Sequence, residues 1–314
     1  MKSEKVLIGA GFVLISLIWG STWLMIKIGL ESIPPFYGVA IRFTFASLLL
    51  FIIMKVRGER IPFDRNSVYL YVTLAVLSFS FPFALVYWGE QYIASGLASI
   101  LFAVYPFVVA IGSHLFLQNE KLNPYKVFGI ALGFIGIIII FWSDIRIGDS
   151  STMGMVAVLG STLMQGASLV MVKRKSHSMN INPTTLSLGG MLFGIVIMYG
   201  IAFLFEDTSA IHFDGKGIGT ILYLGSFGTV VTFVVYYWLL KRVEAVYLSL
   251  VSLVTPVLAV ILGTLLLGEA LEQQVFSGAS LVLAGILIAN GKDLMMTIRK
   301  SRNKFLSTNL SEAE

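Results

Sequence analysis

The chain has 314 residues, of which 57% are hydrophobic and 12% are charged, and its net charge is +5. A soluble domain usually carries about 25% charged residues, so this composition indicates an integral membrane protein and argues against a soluble enzyme. Because the chain has no cysteine, disulfides, thiolate metal sites and cysteine nucleophiles are excluded.

Apolar stretches that are long enough to cross a bilayer, about 20 residues, follow one another along the whole chain. We predict an all-α membrane protein with ten transmembrane spans at 6–28, 35–55, 68–88, 93–117, 124–143, 153–173, 184–205, 216–239, 245–267 and 273–291. The first span is too long for the hydrophobic region of a signal peptide and lacks a small-residue cleavage site. It is therefore expected to remain in the mature protein.

Basic residues are unevenly distributed over this map. With the N-terminus in the cytoplasm, the segments on the inside hold 18 of the 22 basic residues, as the positive-inside rule requires. The outside segments hold only Arg146 and Lys216, while Lys27 and Arg42 lie within spans. We predict that both termini are cytoplasmic and that residues 292–314 form a cytoplasmic tail. This topology explains the positive charge without a nucleic-acid partner.

Two tryptophan–proline pairs relate the halves of the chain. Trp88 precedes Pro106 by 18 residues, and Trp238 precedes Pro256 by the same distance, 150 positions later. Further matches at offsets of 146 to 150 include Ser16 with Thr162, Gly20 with Gly166, Glu120 with Glu269 and Gly129 with Gly278. We therefore predict two five-helix repeats, 6–143 and 153–291. They enter the membrane in opposite senses because five is odd, and such inverted repeats are typical of carriers.

The two prolines fall near the middle of spans 4 and 9. A proline removes a backbone donor and displaces the carbonyl four residues back, and in hydrocarbon that carbonyl needs a partner unless it faces protein or water. We expect Pro106 and Pro256 to mark a symmetric hinge beside a cavity. A kink that serves helix packing is the alternative.

Two groups of short motifs are informative. The first lies in spans 1 and 2 and the loop between them: Trp19-Gly20-Ser21, Lys27, Pro34-Pro35 and Arg42. A segment of small residues, a proline, a glutamate and a glycine then occur as 94–99, Pro106, Glu120 and Gly129, and again as Ser249, Pro256, Gly268-Glu269 and Gly278. Over about residues 6–291 this pattern resembles the EamA-type transporters of the drug/metabolite transporter superfamily. Two departures are Asn119 before Glu120, and Gln165 where a tryptophan often stands.

The resemblance implies a ten-helix inverted-repeat fold with a central cavity lined by spans 1, 3, 4, 6, 8 and 9. It also implies export of amino acids or related metabolites across the plasma membrane, in a bacterium or archaeon. We expect the substrate to be handled by residues in or near these spans, namely Trp19, Trp23, Arg42, Tyr87, Trp88, Tyr105, Gln165 and Trp238.

Arg42 is the most specific of these candidates because it lies about 10 Å inside span 2, by helical rise. A guanidinium at that depth is costly and generally faces a cavity or a partner. It either supplies positive charge for an anionic group of the substrate or binds backbone carbonyls near Pro34-Pro35. The aromatic residues offer ring faces to an amphipathic substrate; for Trp88 and Trp238, an interfacial belt is the alternative.

The leading prediction is a secondary carrier that exports small metabolites by alternating access and needs no cofactor. A channel or a lipid flippase on the same fold is the alternative. An intramembrane enzyme is disfavoured because no GxSxG, HExxH or paired aspartate motif is present, and no Walker motif indicates ATP-driven transport. No metal site and no catalytic residue is predicted. The coupling ion and the roles of Lys27, Glu90, His114 and Lys173 stay open.

Overall fold

Long apolar segments separated by short polar loops form helices, because a helix satisfies its own backbone hydrogen bonds inside hydrocarbon. The computed structural model describes residues 2–117, 123–142, 150–176, 182–240 and 251–289, together with residues 242 and 291. Within these residues every long element is a helix and no strand occurs. The ten apolar helices are α1 Lys2–Gly29, α2 Pro35–Val56, α3 Arg65–Glu90, α4 Ser95–Phe116, α5 Pro124–Trp142, α6 Ser150–Ser176, α7 Pro183–Phe205, α8 Gly215–Gly225 continued by Ser226–Val231 and Thr232–Leu240, α9 Val251–Leu267 and α10 Gln273–Ala289.

The helices coincide with the predicted spans to within a few residues. In the described part of the chain, seven of them, α1 to α4 and α6 to α8, are long and apolar enough to cross a membrane. α5, α9 and α10 are shorter apolar helices at the positions of predicted spans 5, 9 and 10. The predicted all-helical membrane fold is therefore confirmed. Glu120, residues 245–250 and the tail 292–314 lie outside the described residues, and the cytoplasmic location of the termini stays a prediction.

Hydrogen bonds between loops show which loops lie at the same end of the helix bundle. At the end where α1 finishes and α2 begins, the α1–α2 end, His212 N donates a hydrogen bond to Ser32 O at 2.8 Å. At the opposite end, the α2–α3 end, Asn182 Nδ2 donates to the Glu59 carboxylate at 2.6 Å. Both bonds join loops that the alternation of ten spans places on the same side of the membrane. They therefore support the number and order of the spans.

α3 and α8 are built alike. Each begins with an aspartate N-cap: Asp64 accepts from the backbone N of Ser67 at 3.2 Å, and Asp214 accepts from that of Gly217 at 2.7 Å. These bonds satisfy N–H groups that have no partner within the helix. Each helix also contains one six-residue π-helical turn, at Ala75–Ser80 and Ser226–Val231. Such turns are rare and occur frequently at functional sites.

The two prolines have different local structures. α4 consists of two helical segments, Ser95–Phe102 and Tyr105–Phe116, and Pro106 lies in the first turn of the second segment. A proline fits that position because the N–H it lacks would have no helical partner there. Pro256 instead lies inside the continuous helix α9. The local structure at the two prolines is therefore not symmetric, and their role as a hinge stays a prediction.

The most extensive helix contacts among the described residues join the two halves of the chain: α3 with α6 and with α7, α4 with α6, and α1 with α8. α5 and α10 approach so closely that glycines are required. A Cβ atom on Gly136 would lie 2.5 Å from Gly278 O, and one on Gly278 would lie 2.5 Å from Gly136 O. These are close backbone contacts of the kind that small residues permit in membrane helices.

Candidate functional site

Arg42 lies at the centre of the bundle, where α2 meets α3 and α8. Its side chain is buried, with 2% of its surface exposed. Nε donates to Thr229 Oγ1 at 3.0 Å, Nη1 to Tyr87 Oη at 3.1 Å and Nη2 to Gly228 O at 3.3 Å. The carbonyl that Arg42 binds therefore belongs to the π-helical turn of α8 and not to the chain near Pro34-Pro35. The guanidinium links the two halves of the molecule.

The π-helical turn of α8 positions these acceptors. The Thr229 hydroxyl donates to Leu224 O, five residues earlier, at 2.8 Å, so its oxygen lone pairs stay available to Arg42. The guanidinium also lies 5.0 Å from the centre of the Phe83 ring and 5.7 Å from that of Phe43, within the range of cation–π attraction. Among the described residues, every hydrogen-bond acceptor of Arg42 is uncharged.

A small cavity lies beside Arg42 on the side of the α1–α2 end. Its volume of about 10 Å³ has room for about one water molecule. Arg42 and Tyr87 form its polar wall together with Thr220, and glycines at the end of α1 and the start of α2 complete it, Gly29 and Gly38. In this conformation the bundle therefore leaves little room for a metabolite next to the guanidinium.

A second group of predicted residues forms a chain of aromatic rings across α1, α4 and α8. Trp23 lies 5.4 Å from Phe102, which stacks on Tyr105 at 5.9 Å and an interplanar angle of 8°. Tyr105 is hydrogen-bonded to Tyr236, and Tyr236 lies 5.3 Å from Trp19. Trp19, Trp23 and Tyr105 are thus brought together through two aromatic residues that the sequence did not single out, Phe102 and Tyr236, and their role in a substrate site stays a prediction.

The aromatic chain continues to Arg42. Phe233 of α8 lies 6.2 Å from Trp19 and 5.5 Å from Phe79, and Phe79 lies 5.6 Å from Phe43. Phe43 in turn contacts the Arg42 guanidinium. The bundle interior therefore presents one cation and a continuous set of ring faces, an arrangement suited to a molecule with an anionic group and an apolar part.

Three predicted candidates lie apart from this interior. Trp88 packs edge-on against Tyr92 at 5.0 Å, at the end of α3, which agrees with the interfacial alternative. Trp238 is covered by Arg242 at 4.3 Å, near the α2–α3 end. Gln165 donates from Nε2 to Ser161 Oγ at 3.4 Å, within its own helix α6. No described contact joins these three residues to Arg42.

A cluster of charged groups at the α1–α2 end was only partly foreseen. Lys27 donates to the main-chain carbonyls of Glu90 and Ile93, at 2.8 Å for the latter. Glu269 accepts from the Ser95 backbone N at 2.9 Å and from its hydroxyl at 2.8 Å, and so caps the first turn of α4. The sequence indicated Glu269 only as one half of a repeat match, because the segment that it caps lies far away in the chain.

The two other residues whose roles were left open lie away from this cluster. Lys173 is half-buried, and the side chain of His114 is exposed on α4.

Known proteins of similar sequence are membrane transporters. The model of the EamA-like transporter family matches residues 7–142 and 152–291. The uncharacterized transporter YoaV of Bacillus subtilis is 28% identical over 279 residues, 88% of this chain and 94% of its own length. The uncharacterized inner membrane transporter YedA of Escherichia coli K12 is 28% identical over 290 residues, 92% of each chain. Relatives of this kind come from bacteria and an archaeon.

A solved crystal structure shares the fold at low sequence similarity. It superposes with a TM-score of 0.67 and 17% identity, and the match covers 90% of this chain and 96% of that one. At this level of identity the likeness concerns the course of the backbone alone.

Proposed function

This chain belongs to the EamA-like transporter family, and from that premise we propose that it is a secondary carrier that exports small amphipathic metabolites with an anionic group. As a multi-pass protein of the plasma membrane it acts on a small-molecule substrate. Amino acids or related compounds fit this description. The direction follows from the resemblance to EamA-type exporters.

The single observation that carries the proposal is the environment of Arg42. A buried cation is normally paired with an anion, because removing charge from water costs several kcal/mol on the order of membrane insertion scales. Here the described partners are two hydroxyl groups and a backbone carbonyl, all uncharged. A guanidinium binds carboxylates with two parallel hydrogen bonds. An incoming carboxylate would therefore gain more at Arg42 than at any uncharged group of this interior.

The aromatic chain supports an amphipathic substrate. Trp19, Trp23 and Tyr105, with their neighbours on α4 and α8, offer ring faces and polar tips within the same bundle as Arg42. A substrate that joins an anionic group to an apolar part could be held at both positions during its passage.

Alternating access is supported by the parallel construction of the two halves. α3 and α8 share their caps and their π-helical turns, and the breaks or prolines of α4 and α9 fall at matching positions. Two similar halves packed on each other can exchange roles, so that each end of the bundle opens in turn. Arg42 lies at the contact between α2 and α8, so its hydrogen bonds to α8 would change when the two halves move.

Metabolite profiling tests the proposal. Cells that produce the wild-type chain are compared with matched cells without it, and extract and medium are searched for one anionic compound that moves outward with saturation. Arg42→Gln should weaken its handling about 10- to 100-fold, since a charge-assisted hydrogen bond contributes about 1.5–3 kcal/mol and each 1.4 kcal/mol is tenfold. Arg42→Lys keeps the charge but lacks the planar fork and should fall between the two.

Arg57→Gln, an exposed charge removal at the end of the same helix, is the matched control and should behave as wild type. Normal affinity in Arg42→Gln would disprove the assignment of Arg42. Flux that does not saturate would indicate a channel, and scrambling of lipids in vesicles would indicate a flippase. Melting curves of all variants separate a lost site from a lost fold.

A further inference from the structure

Glu90, the last residue of α3, has a fully buried carboxyl group without a hydrogen-bonding partner among the described residues. Its exposed fraction is 0%, and within the described residues neither carboxylate oxygen accepts a hydrogen bond. By contrast, Glu269 and Glu206, at the same end of the bundle, accept three and two hydrogen bonds. An ionisable residue inside a membrane bundle is costly and usually has a function.

The nearest cation does not satisfy this carboxyl group. The Lys27 ammonium donates instead to the main-chain carbonyl of Glu90, which has no partner within the helix because α3 ends there, and to that of Ile93 in the following loop. A cation is stabilised at a helix C-terminus by these carbonyls and by the helix dipole. Lys27 is therefore held beside Glu90 while its hydrogen bonds go elsewhere.

Close packing closes off the neighbouring face of α3. α3 touches α6 through backbone atoms, since a Cβ on Gly89 would lie 2.8 Å from Gly154 O and one on Gly154 would lie 2.8 Å from Gly89 O. The adjoining part of α6, residues 150–160, has no titratable side chain, and its hydroxyl groups, Ser150, Ser151 and Thr152, lie in the first turn of the helix. While α3 and α6 are packed together, no described donor on this side reaches the Glu90 carboxyl group.

Among the described residues, the other charges that act on Glu90 come from three elements. Lys27 of α1 and Arg42 of α2 are attractive, while Glu269, beyond the end of α9, is repulsive. Tyr87, one turn earlier on α3, is the further titratable group, and its hydroxyl is bound to Arg42. The first turn of α4 adds only Ser95 and small apolar residues. The site is thus a carboxyl group that two cations attract, and neither cation has a described hydrogen bond to it.

We infer that Glu90 is the proton-binding site of the carrier: its carboxyl group holds a proton while α3 packs against α6, and gives it up to water when they separate. The step balances, because the acid becomes a carboxylate and the released proton passes to water at the α1–α2 end. The freed carboxylate can then pair with Lys27. An ionised carboxylate without donors would be strongly unfavourable in the closed arrangement, so proton loss and opening favour each other. This inference rests on the proposed carrier function.

The chemistry of the site favours a proton over a sodium ion. A sodium ion in a transporter is coordinated by several oxygens together, including unwound backbone carbonyls. Two backbone carbonyls at this end of α3, those of Glu90 and Ile93, already bind the Lys27 ammonium. A proton requires only the carboxyl group itself.

The first test detects the proton on Glu90 directly. Dicyclohexylcarbodiimide modifies protonated carboxyl groups in apolar surroundings, and peptide mass spectrometry locates the adduct on the full-length purified chain. We expect an adduct at Glu90 that falls by at least about tenfold from mildly acidic to alkaline buffer, as for one titrating carboxyl group. Glu269, which has three donors, is the internal control and should stay unmodified.

The second test follows opening in the absence of any substrate. The chain has no cysteine, so Val158→Cys can report on separation of α3 and α6 through its reaction with a water-soluble maleimide, because Val158 is buried in α6 and its Cγ2 would lie 3.1 Å from a Cβ on Gly89. Labelling is expressed relative to that of an exposed single-cysteine chain at the same pH, which removes the effect of the thiolate fraction. This relative labelling should increase with pH when Glu90 is present. It should stay low at every pH with Glu90→Gln, and the pH response should survive, shifted, with Glu90→Asp.

Three results would overturn the inference: no adduct at Glu90, an adduct that is independent of pH, or an unchanged pH response in Glu90→Gln. Protection of Glu90 by sodium ions would assign the site to that ion instead. Neither test requires transport. If both succeed while no metabolite is moved by the wild-type chain, the proposed function fails and the proton site stands.

Discussion

The bond between Glu269 and the start of α4 gives the sharpest stability prediction. Gly268, at the end of α9, has a φ of +66°, a conformation that favours glycine, and the resulting turn directs Glu269 towards α4. Its carboxylate accepts from Ser95 N at 2.9 Å, from the Ser95 hydroxyl at 2.8 Å and from Gly96 N at 3.3 Å. A residue of the second half thus caps a helix of the first.

We expect Glu269→Gln to lower stability by about 2–3 kcal/mol. The amide oxygen can replace one carboxylate oxygen, but the amide nitrogen then faces an N–H donor, and a buried donor left unsatisfied costs about 1–3 kcal/mol. Loss of the negative charge at a helix N-terminus adds about 0.3–1 kcal/mol. With an unfolding entropy of about 2.1 cal/mol/K per residue over 314 residues, the melting temperature should fall by about 3–5 °C.

Thermal melting of the purified chain in detergent, followed by tryptophan fluorescence, measures this loss. Glu272→Gln removes an exposed carboxylate from the same loop and is the matched control, with little expected change. In a double-mutant cycle, Ser95→Ala should cost less in the Glu269→Gln background than in the wild type. Equal melting temperatures for Glu269→Gln and Glu272→Gln would refute the capping role.

Two further predictions concern helix packing and pH. Gly136→Ala should lower stability by about 1–3 kcal/mol, since its Cβ would lie 2.5 Å from Gly278 O, whereas Gly200→Ala, with nothing within 4 Å, should be neutral or slightly stabilising; melting curves compare the two. The Ser67 hydroxyl, and then its N–H, lower the pKa of Asp64 from 3.8. The stability contributed by this charge is therefore present above pH 3.8 and is lost as the pH falls through the lower, folded-state pKa. The difference in melting temperature between wild type and Asp64→Asn should shrink over that acidic range, and a constant difference would contradict the assignment.

Helix positions could be predicted from the sequence because they depend on local quantities, namely the length of each apolar run and the polar residues that end it. The break in α4 and the two π-helical turns were not foreseen, since nothing in the segment 226–231 distinguishes a π turn from an α turn before α2 packs against it. Arg42 stood out because a charge in an apolar run is visible in the sequence. Its partners Thr229 and Gly228 did not, because they are 186 or more positions away.

Burial could not be predicted for the charged groups near the ends of spans. Glu90 and Lys27 both lie close to the end of a predicted span, yet Glu90 is fully buried while Lys27 is only half-buried. The difference arises from the backbone contact of α3 with α6, which depends on glycines in two separate helices. Trp88 lies two residues before Glu90 and packs at the helix end, so nearness in sequence does not decide which side chain faces the interior.

The central claim is that this chain is a carrier whose two ends open alternately, and paired accessibility tests it most directly. Ile221→Cys lies in the cavity beside Arg42, and Val235→Cys lies about 20 Å further along α8 by helical rise, packed against Gly11 of α1. Ile221→Cys is labelled in right-side-out vesicles and Val235→Cys in inside-out vesicles, each with a membrane-impermeant maleimide over the same range of pH and of metabolite mixtures. We predict that any condition which increases labelling at Ile221→Cys decreases it at Val235→Cys. Labelling that increases at both positions under the same condition would contradict the account. So would labelling at one position that varies independently of labelling at the other.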